Sequence, residues 1–311
     1  MKDRADVMVL GGGPAGCTAA LYAARAALDT LMVEKLAPGG QMATTDHVDN
    51  YPGFPDGIDG FSLGERMEQQ ASRFGAKTVY GEIVRVSLDA PVKEIELADG
   101  AVHRAGAVIV APGASPRELG LPRERELRGR GVSYCATCDG AFYRGKDVCV
   151  IGGGDTAAVD ALFLSRICRQ VVLIHRRDTM RAAKAYHLRL QQQENVEFCW
   201  DSVAEEILTQ QDAAGKVSGV RIRNLKTGEI REIACDGLFI AAGNVPNTAL
   251  FRGVLEMDDA GYLLAGEDTV TSLPGVFAAG DARKKPLRQI LTAASDGAVA
   301  ATMAEEYLLQ E

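Results

Sequence analysis

Apolar and polar positions along the chain alternate in a way that predicts short strands, glycine turns and alanine-rich helices. After Asp6, residues 7–10, "VMVL", form an unbroken apolar run, then come three glycines, then "PAGCTAALYAARAALD" with small apolar residues at helical spacing. A second apolar run, "TLMVE", ends at Glu34. Strands that are apolar throughout, rather than at every other position, are buried on both faces, as in a parallel sheet. Residues 147–177, "DVCVIGGGDTAAVDALFLSRICRQVVLIHRR", repeat the order strand, glycine turn, helix, strand. Each segment reads as a βαβ unit. Two of them predict an α/β chain with two Rossmann-like dinucleotide-binding domains.

Residues 78–110 read as short alternating strands, with Asp99-Gly100 as a hairpin turn. The Pro- and Gly-rich "APGASPRELGLP" at 111–122 reads as a linker, and "GLFIAAGNVPN" at 237–247 closes the second unit. "GVFAAGDA" at 275–282 precedes a helical "LTAASDGAVAATMAEEYLL". This symmetry predicts a domain of residues 115–245 inserted into a first domain made of 1–114 and 246–311.

Composition narrows the reading. The chain has 311 residues, enough for two domains of about 100–200 residues each. Its net charge of −8 argues against nucleic acid or an anionic membrane as partner. No apolar run approaches the roughly 18–20 residues of a membrane helix. The stretch "MKDRADVMVLGGG" lacks the apolar core of a signal peptide, so the expected location is the cytoplasm. Seven cysteines, an odd number in a chain this long, form no disulfide framework.

The two glycine turns differ in what they ask for. Gly11, Gly13 and Gly16 fit G-x-G-x-x-G between a strand and a helix, a turn that brings a pyrophosphate to the helix N-terminus. Glu34 stands about 20 residues further on, where an acid bonds a ribose hydroxyl. In the second turn, Gly152, Gly154 and Ala157 give G-x-G-x-x-A. The position equivalent to Glu34 is His175, followed by Arg176, Arg177 and, one turn later, Arg181. An acid there would repel a 2′-phosphate, whereas guanidinium groups bind it bidentately. The pair therefore points to FAD in the first site and NADPH in the second. The plainer alternatives are a bare glycine turn and a basic surface patch.

"SYCATCDGAFY", residues 133–143, holds Cys135 and Cys138. Such a pair is half of a zinc site, a redox disulfide, or two idle cysteines. Zinc needs four ligands, and no second C-x-x-C exists, while the four histidines are scattered. A redox disulfide beside a flavin electron donor is the reading that uses the rest of the chain.

"GRGVSYCATCDGAFYRGK", "GGGDTA", "HRRDTMRA" and "GVFAAGDARKKPLRQILTAASDG" together resemble the low-molecular-weight, bacterial-type NADPH–thioredoxin reductases, as does "PGGQMATTDHVDNYPGF". The resemblance covers nearly the whole chain in order. It implies a homodimer that passes electrons from NADPH through FAD to a Cys135–Cys138 disulfide and on to thioredoxin. It further implies that Cys138 faces the flavin, that Cys135 attacks the partner, and that Asp139 is the acid managing the proton. By the same carry-over, Gly40, Gln41, Asn50, Asp281, Arg288 and Gln289 contact the flavin, with a helix starting after Asp281. Thr156 and His175 join the arginines around NADPH. The inserted domain would swing about 112–118 and 243–248. Leu287 and Ala141 depart from the family's frequent aromatic residues, leaving thioredoxin contact to Phe142. A dithiol oxidase or a ferredoxin-driven reductase would need no NADPH arginines, and a flavin redox sensor would show no turnover.

Overall fold

The computed structural model describes residues 4–45, 47–210 and 215–310. The chain divides into two compact units, Met1–Ser115 with Val245–Glu311, and Pro116–Asn244.

The first unit opens with β1 (Ala5–Leu10), α1 (Pro14–Arg25) and β2 (Thr30–Glu34). Pro14 occupies the first turn of α1, where its missing N–H costs nothing and its fixed φ suits the helix. The chain continues through α2 (Gly60–Arg73), β3 (Lys77–Tyr80), β4 (Ile83–Ser87), β5 (Lys93–Leu97), β6 (Val102–Val110) and β7 (Ala114–Pro116). Asp59 caps α2 by accepting the Ser62 N–H at 2.8 Å. Asp99-Gly100 makes the tight turn between β5 and β6, with Gly100 at φ +86°.

The second unit holds β8 (Val132–Ser133), α3 (Ala136–Asp139), β9 (Asp147–Gly152), α4 (Asp155–Ser165), β10 (Gln170–Ile174), α5 (Lys184–Gln191) and β11 (Val196–Cys199). It ends with β12 (Ser202–Thr209), β13 (Val217–Asn224), β14 (Ile230–Ala234) and β15 (Gly237–Ala241), and β16 (Asn244–Pro246) crosses back into the first unit. β17 (Val276–Ala278) and α6 (Ile290–Leu308) then belong to the first unit again.

The first unit's sheet runs β3-β2-β1-β6-β5-β4, with β17 also paired to β6. β1 is central and parallel to both neighbours, Val7 facing Thr30 on one side and Ala107 on the other. One face of this sheet is covered by α1 and α6, whose alanines interlock around Val9, Met32 and Ile109. The second unit repeats the plan as β11-β10-β9-β15-β8, with β9 central. An antiparallel sheet, β12-β13-β14, packs its own apolar side onto that core. In each sheet the glycine turn leaves the carboxyl end of the central strand, where the strand order reverses. Ligands of doubly wound sheets bind at such points.

Candidate active site

In the first unit, Gly11 has φ +110° and lies against the Ala111 carbonyl, a place where a side chain would collide. A Cβ at Gly16 would run into the Gly11 carbonyl oxygen, so α1 closes tightly on the turn. Gly13 faces open space, with nothing within 4 Å of where its Cβ would be. Room is thus left above the amides at the start of α1, where a pyrophosphate fits. Glu34 closes the other side. Its Oε2 accepts the Gly12 N–H at 2.6 Å, and its Oε1 accepts those of Lys35 and Leu36 at 2.7 and 3.1 Å. The carboxylate therefore lies against the turn at the end of β2.

Gly40 and Gln41 begin a single 3₁₀ turn, Gly40–Thr44, held by the Gly39 N–H on the Gly12 carbonyl at 2.7 Å. Asn50 and Gln289, far apart in sequence, are bonded side chain to side chain at 3.0 Å. Gln289 also caps α6. Asp281 Oδ1 is buried without a hydrogen-bond partner among the described residues, and so is Arg288 Nε, whose guanidinium stacks 4.2 Å over the Tyr262 ring. Orphaned buried polar atoms of this kind await a ligand. Burial pushes the Asp281 carboxyl up, with Lys285 and Arg288 opposing and Asp296 adding to the rise. Cys17 plays no part in this chemistry. Its thiol donates to the Gly12 carbonyl at 3.2 Å, and burial pushes it up to about 12.

The helix expected after Asp281 is α6, which begins at Ile290. Asp281 itself lies in a short 3₁₀ turn, Gly280–Ala282. Pro286 interrupts the intervening segment, and Arg283 and Lys285 are drawn to Asp296. Asp296, nearly fully buried on α6, accepts Arg283 at 2.7 and 2.8 Å, Lys285 at 2.8 Å and the Gly280 N–H at 3.0 Å. This cluster, which nothing in the motifs revealed, fixes the turn that carries Asp281.

In the second unit, Gly154 also faces open space at the start of α4, and Thr156 is exposed in the first turn of that helix. The Arg181 N–H donates to the Gly153 carbonyl at 2.7 Å, and Asp155 Oδ1 accepts the Ala183 N–H at 2.8 Å. The arginine loop is thereby pinned to the glycine turn. Arg176, Arg177 and Arg181 are exposed and form no ion pair among the described residues. His175 differs from them. Its ring lies buried under Gly153, edge-on to Trp200, and Nε2 has no hydrogen-bond partner among the described residues. Burial and the three arginines hold the imidazole below its ordinary range, against a backbone bond at Thr179.

Cys135 and Cys138 form a disulfide with Cα atoms 5.3 Å apart. Cys135 is the N-cap of α3, and its Sγ accepts the Cys138 N–H at 3.2 Å. Asp139 ends α3 and accepts the Ser133 hydroxyl at 2.6 Å. The same Ser133 oxygen accepts the Cys135 N–H at 3.1 Å. Ser133 thus joins the acid to the cysteine backbone, a role that no motif marks. The other five cysteines are free and buried.

The pyridine nucleotide-disulphide oxidoreductase sequence model matches residues 5–297. The chain belongs to that family. A thioredoxin reductase from Streptomyces clavuligerus is 49% identical over 99% of this chain and 95% of its own length. That of Bacillus subtilis is 44% identical over 98% of this chain and 96% of its own. The crystal structure of thioredoxin reductase from Streptococcus pyogenes superposes with a TM-score of 0.92 at 41% identity, each chain fully covered. The protein uses FAD and NADPH, and the open space at Gly13 and the buried Asp281 oxygen, without a partner among the described residues, fit a bound dinucleotide.

Proposed function

We propose that this chain is a thioredoxin reductase, carrying electrons from NADPH through FAD and the Cys135–Cys138 disulfide to the disulfide of a thioredoxin. The observation that carries the reading is a formed C-x-x-C disulfide in the same unit as an arginine-bearing dinucleotide turn. The unit of Met1–Ser115 and Val245–Glu311 would hold FAD, and Pro116–Asn244 would hold NADPH. Gly11, Gly13, Gly16, Glu34, Gly40, Gln41, Asn50, Asp281, Arg288 and Gln289 would hold the first. Gly152, Gly154, Thr156, Arg176, Arg177 and Arg181 would hold the second, with His175 supporting the turn from below. When bound, NADPH supplies a hydride and FAD relays the electron pair.

The chain's own residues do the sulfur chemistry. Once the disulfide is opened, the Cys138 N–H remains a donor to Cys135 Sγ and favours its thiolate, the attacking species. Cys135 Sγ attacks a thioredoxin sulfur, forming a mixed disulfide and expelling a thiolate that takes up a proton. Cys138 Sγ then attacks Cys135 Sγ, the mixed disulfide breaks, and the second thioredoxin thiolate leaves. Two electrons and two protons pass to thioredoxin, and the internal bond is restored. Asp139, oriented by Ser133, moves the proton at its carboxyl group. Phe142, 48% exposed and close in sequence to the couple, offers an apolar contact for the protein substrate.

The reading extends to a homodimer in the cytoplasm, which the family resemblance supports. Anaerobic titration with NADPH, followed by addition of thioredoxin, tests the function. Flavin absorbance should bleach and then recover as thioredoxin is reduced. Cys135→Ser and Cys138→Ser should each abolish thioredoxin reduction while NADPH still bleaches the flavin. Retention of thioredoxin reduction by either variant would remove the pair from the path.

A further inference from the structure

Glu124 belongs to none of the sites above, yet its residue is only 2% exposed. A carboxylate so buried persists only when its oxygens are satisfied. Three donors do this. Oε1 accepts the Leu119 N–H at 2.9 Å and the Tyr134 hydroxyl at 2.7 Å, and Oε2 accepts the Leu121 N–H at 2.9 Å. It makes no ion pair among the described residues. The Arg128 guanidinium lies 5.3 Å over the Tyr134 ring. Burial and the bond to Glu124 push the Tyr134 hydroxyl well above the ordinary phenol range, so it remains a donor.

Tyr134 is bonded covalently to Cys135, and Ser133 on its other side is tied to Asp139 and to the Cys135 N–H. The backbone leading into Cys135 is therefore anchored twice. We infer that Glu124 is a positioning residue of the redox couple, holding Cys135 through the Tyr134 hydroxyl in disulfide-forming register when the sulfur–sulfur bond is open. This rests on the proposed function, in which the pair cycles between disulfide and dithiol. Reduction breaks one S–S bond, adds two electrons and two protons, and leaves Cys135 near Cys138 only by non-covalent anchors. The local concentration of one thiol at the other sets how readily the bond re-forms. Loosening the Tyr134 anchor lowers it and favours the dithiol.

The test equilibrates the flavin-loaded protein with glutathione buffers of fixed poise and counts Cys135 and Cys138 thiols by trapping and mass measurement. Tyr134→Phe and Glu124→Gln should each raise the dithiol-to-disulfide ratio about three- to tenfold, the span one lost hydrogen bond produces. Tenfold corresponds to about 30 mV for a two-electron couple. Glu124→Gln keeps one acceptor oxygen but loses the charge and the second, so it weakens the Tyr134 bond that Tyr134→Phe removes. The double variant should therefore shift no further than Tyr134→Phe alone. Glu205→Gln, the same chemical change at an exposed partner of Arg223, should leave the ratio unmoved. Ratios in Tyr134→Phe and Glu124→Gln equal to wild type, even with lowered melting temperature, would reduce Glu124 to a structural residue and overturn the inference. A shift as large in Glu205→Gln would do the same. Should Glu124→Gln not fold, Tyr134→Phe decides alone, since it leaves the carboxylate both backbone donors. A wild-type couple that fails to exchange would instead sink the proposed function beneath it.

Discussion

Arg176 and Arg177 sit at the end of β10 with their guanidinium groups in solvent, beside a glycine turn whose backbone is bonded to Arg181. Such groups suit a 2′-phosphate and have no counterpart to bind in NADH. Replacing both by Ala should weaken NADPH by about 1.5–3 kcal/mol for each charged bond lost, and NADH hardly at all. Calorimetric titration with the two nucleotides checks this, and equal losses would refute the phosphate assignment. At this scale the motif residues were legible because glycine spacing and charge are local. His175 was not. Its inward turn under Gly153 depends on Trp200, which lies in the turn after β11. Ser133 and Asp296 escaped for the same reason, since a hydroxyl or a carboxylate acquires meaning only from groups brought near by the fold.

Helix α4 carries an acid where none is comfortable. Asp160 is buried in it, and burial alone pushes its carboxyl up from 3.8 to about 7. The folded chain thus keeps a proton that the unfolded chain releases near pH 4. Stability from this group is complete below about pH 4 and is lost as pH rises through about 7. Asp160→Asn should therefore raise the melting temperature at pH 8 and leave it nearly unchanged at pH 4, with a gain on the order of a few kcal/mol at the higher pH. Thermal melts across that range would show an equal gain at every pH if the group were not titrating. The βαβ elements were legible from their unbroken apolar strands. The helix after Asp281 was legible as well and forms as α6, while the segment between them, held by the Arg283 and Lys285 bonds to Asp296 and interrupted by Pro286, is what no pattern marked. The β12-β13-β14 sheet had no motif to mark it, since its outer face is a ladder of exposed ion pairs such as Arg221–Glu232 and Arg223–Glu205.

The unit of residues 116–244 has its own core, and its two ends are adjacent, the Arg117 N–H donating to the Gly243 carbonyl at 2.8 Å. A fragment of these residues should fold alone, bind NADPH, retain the Cys135–Cys138 couple and take up no flavin. Circular dichroism and calorimetry on the fragment check this, and an unfolded fragment would show that its core needs the rest of the chain. The molecule as a whole carries a charge of −8, whereas Arg176, Arg177 and Arg181, which make no ion pair among the described residues, present positive charge at the second glycine turn. Attraction across water to a doubly charged phosphate fades as the screening length shrinks from about 10 Å at 0.1 M salt to about 3 Å at 1 M. The Michaelis constant for NADPH should therefore climb with ionic strength while that for NADH stays level, making this chain's choice between the two coenzymes weakest in brine.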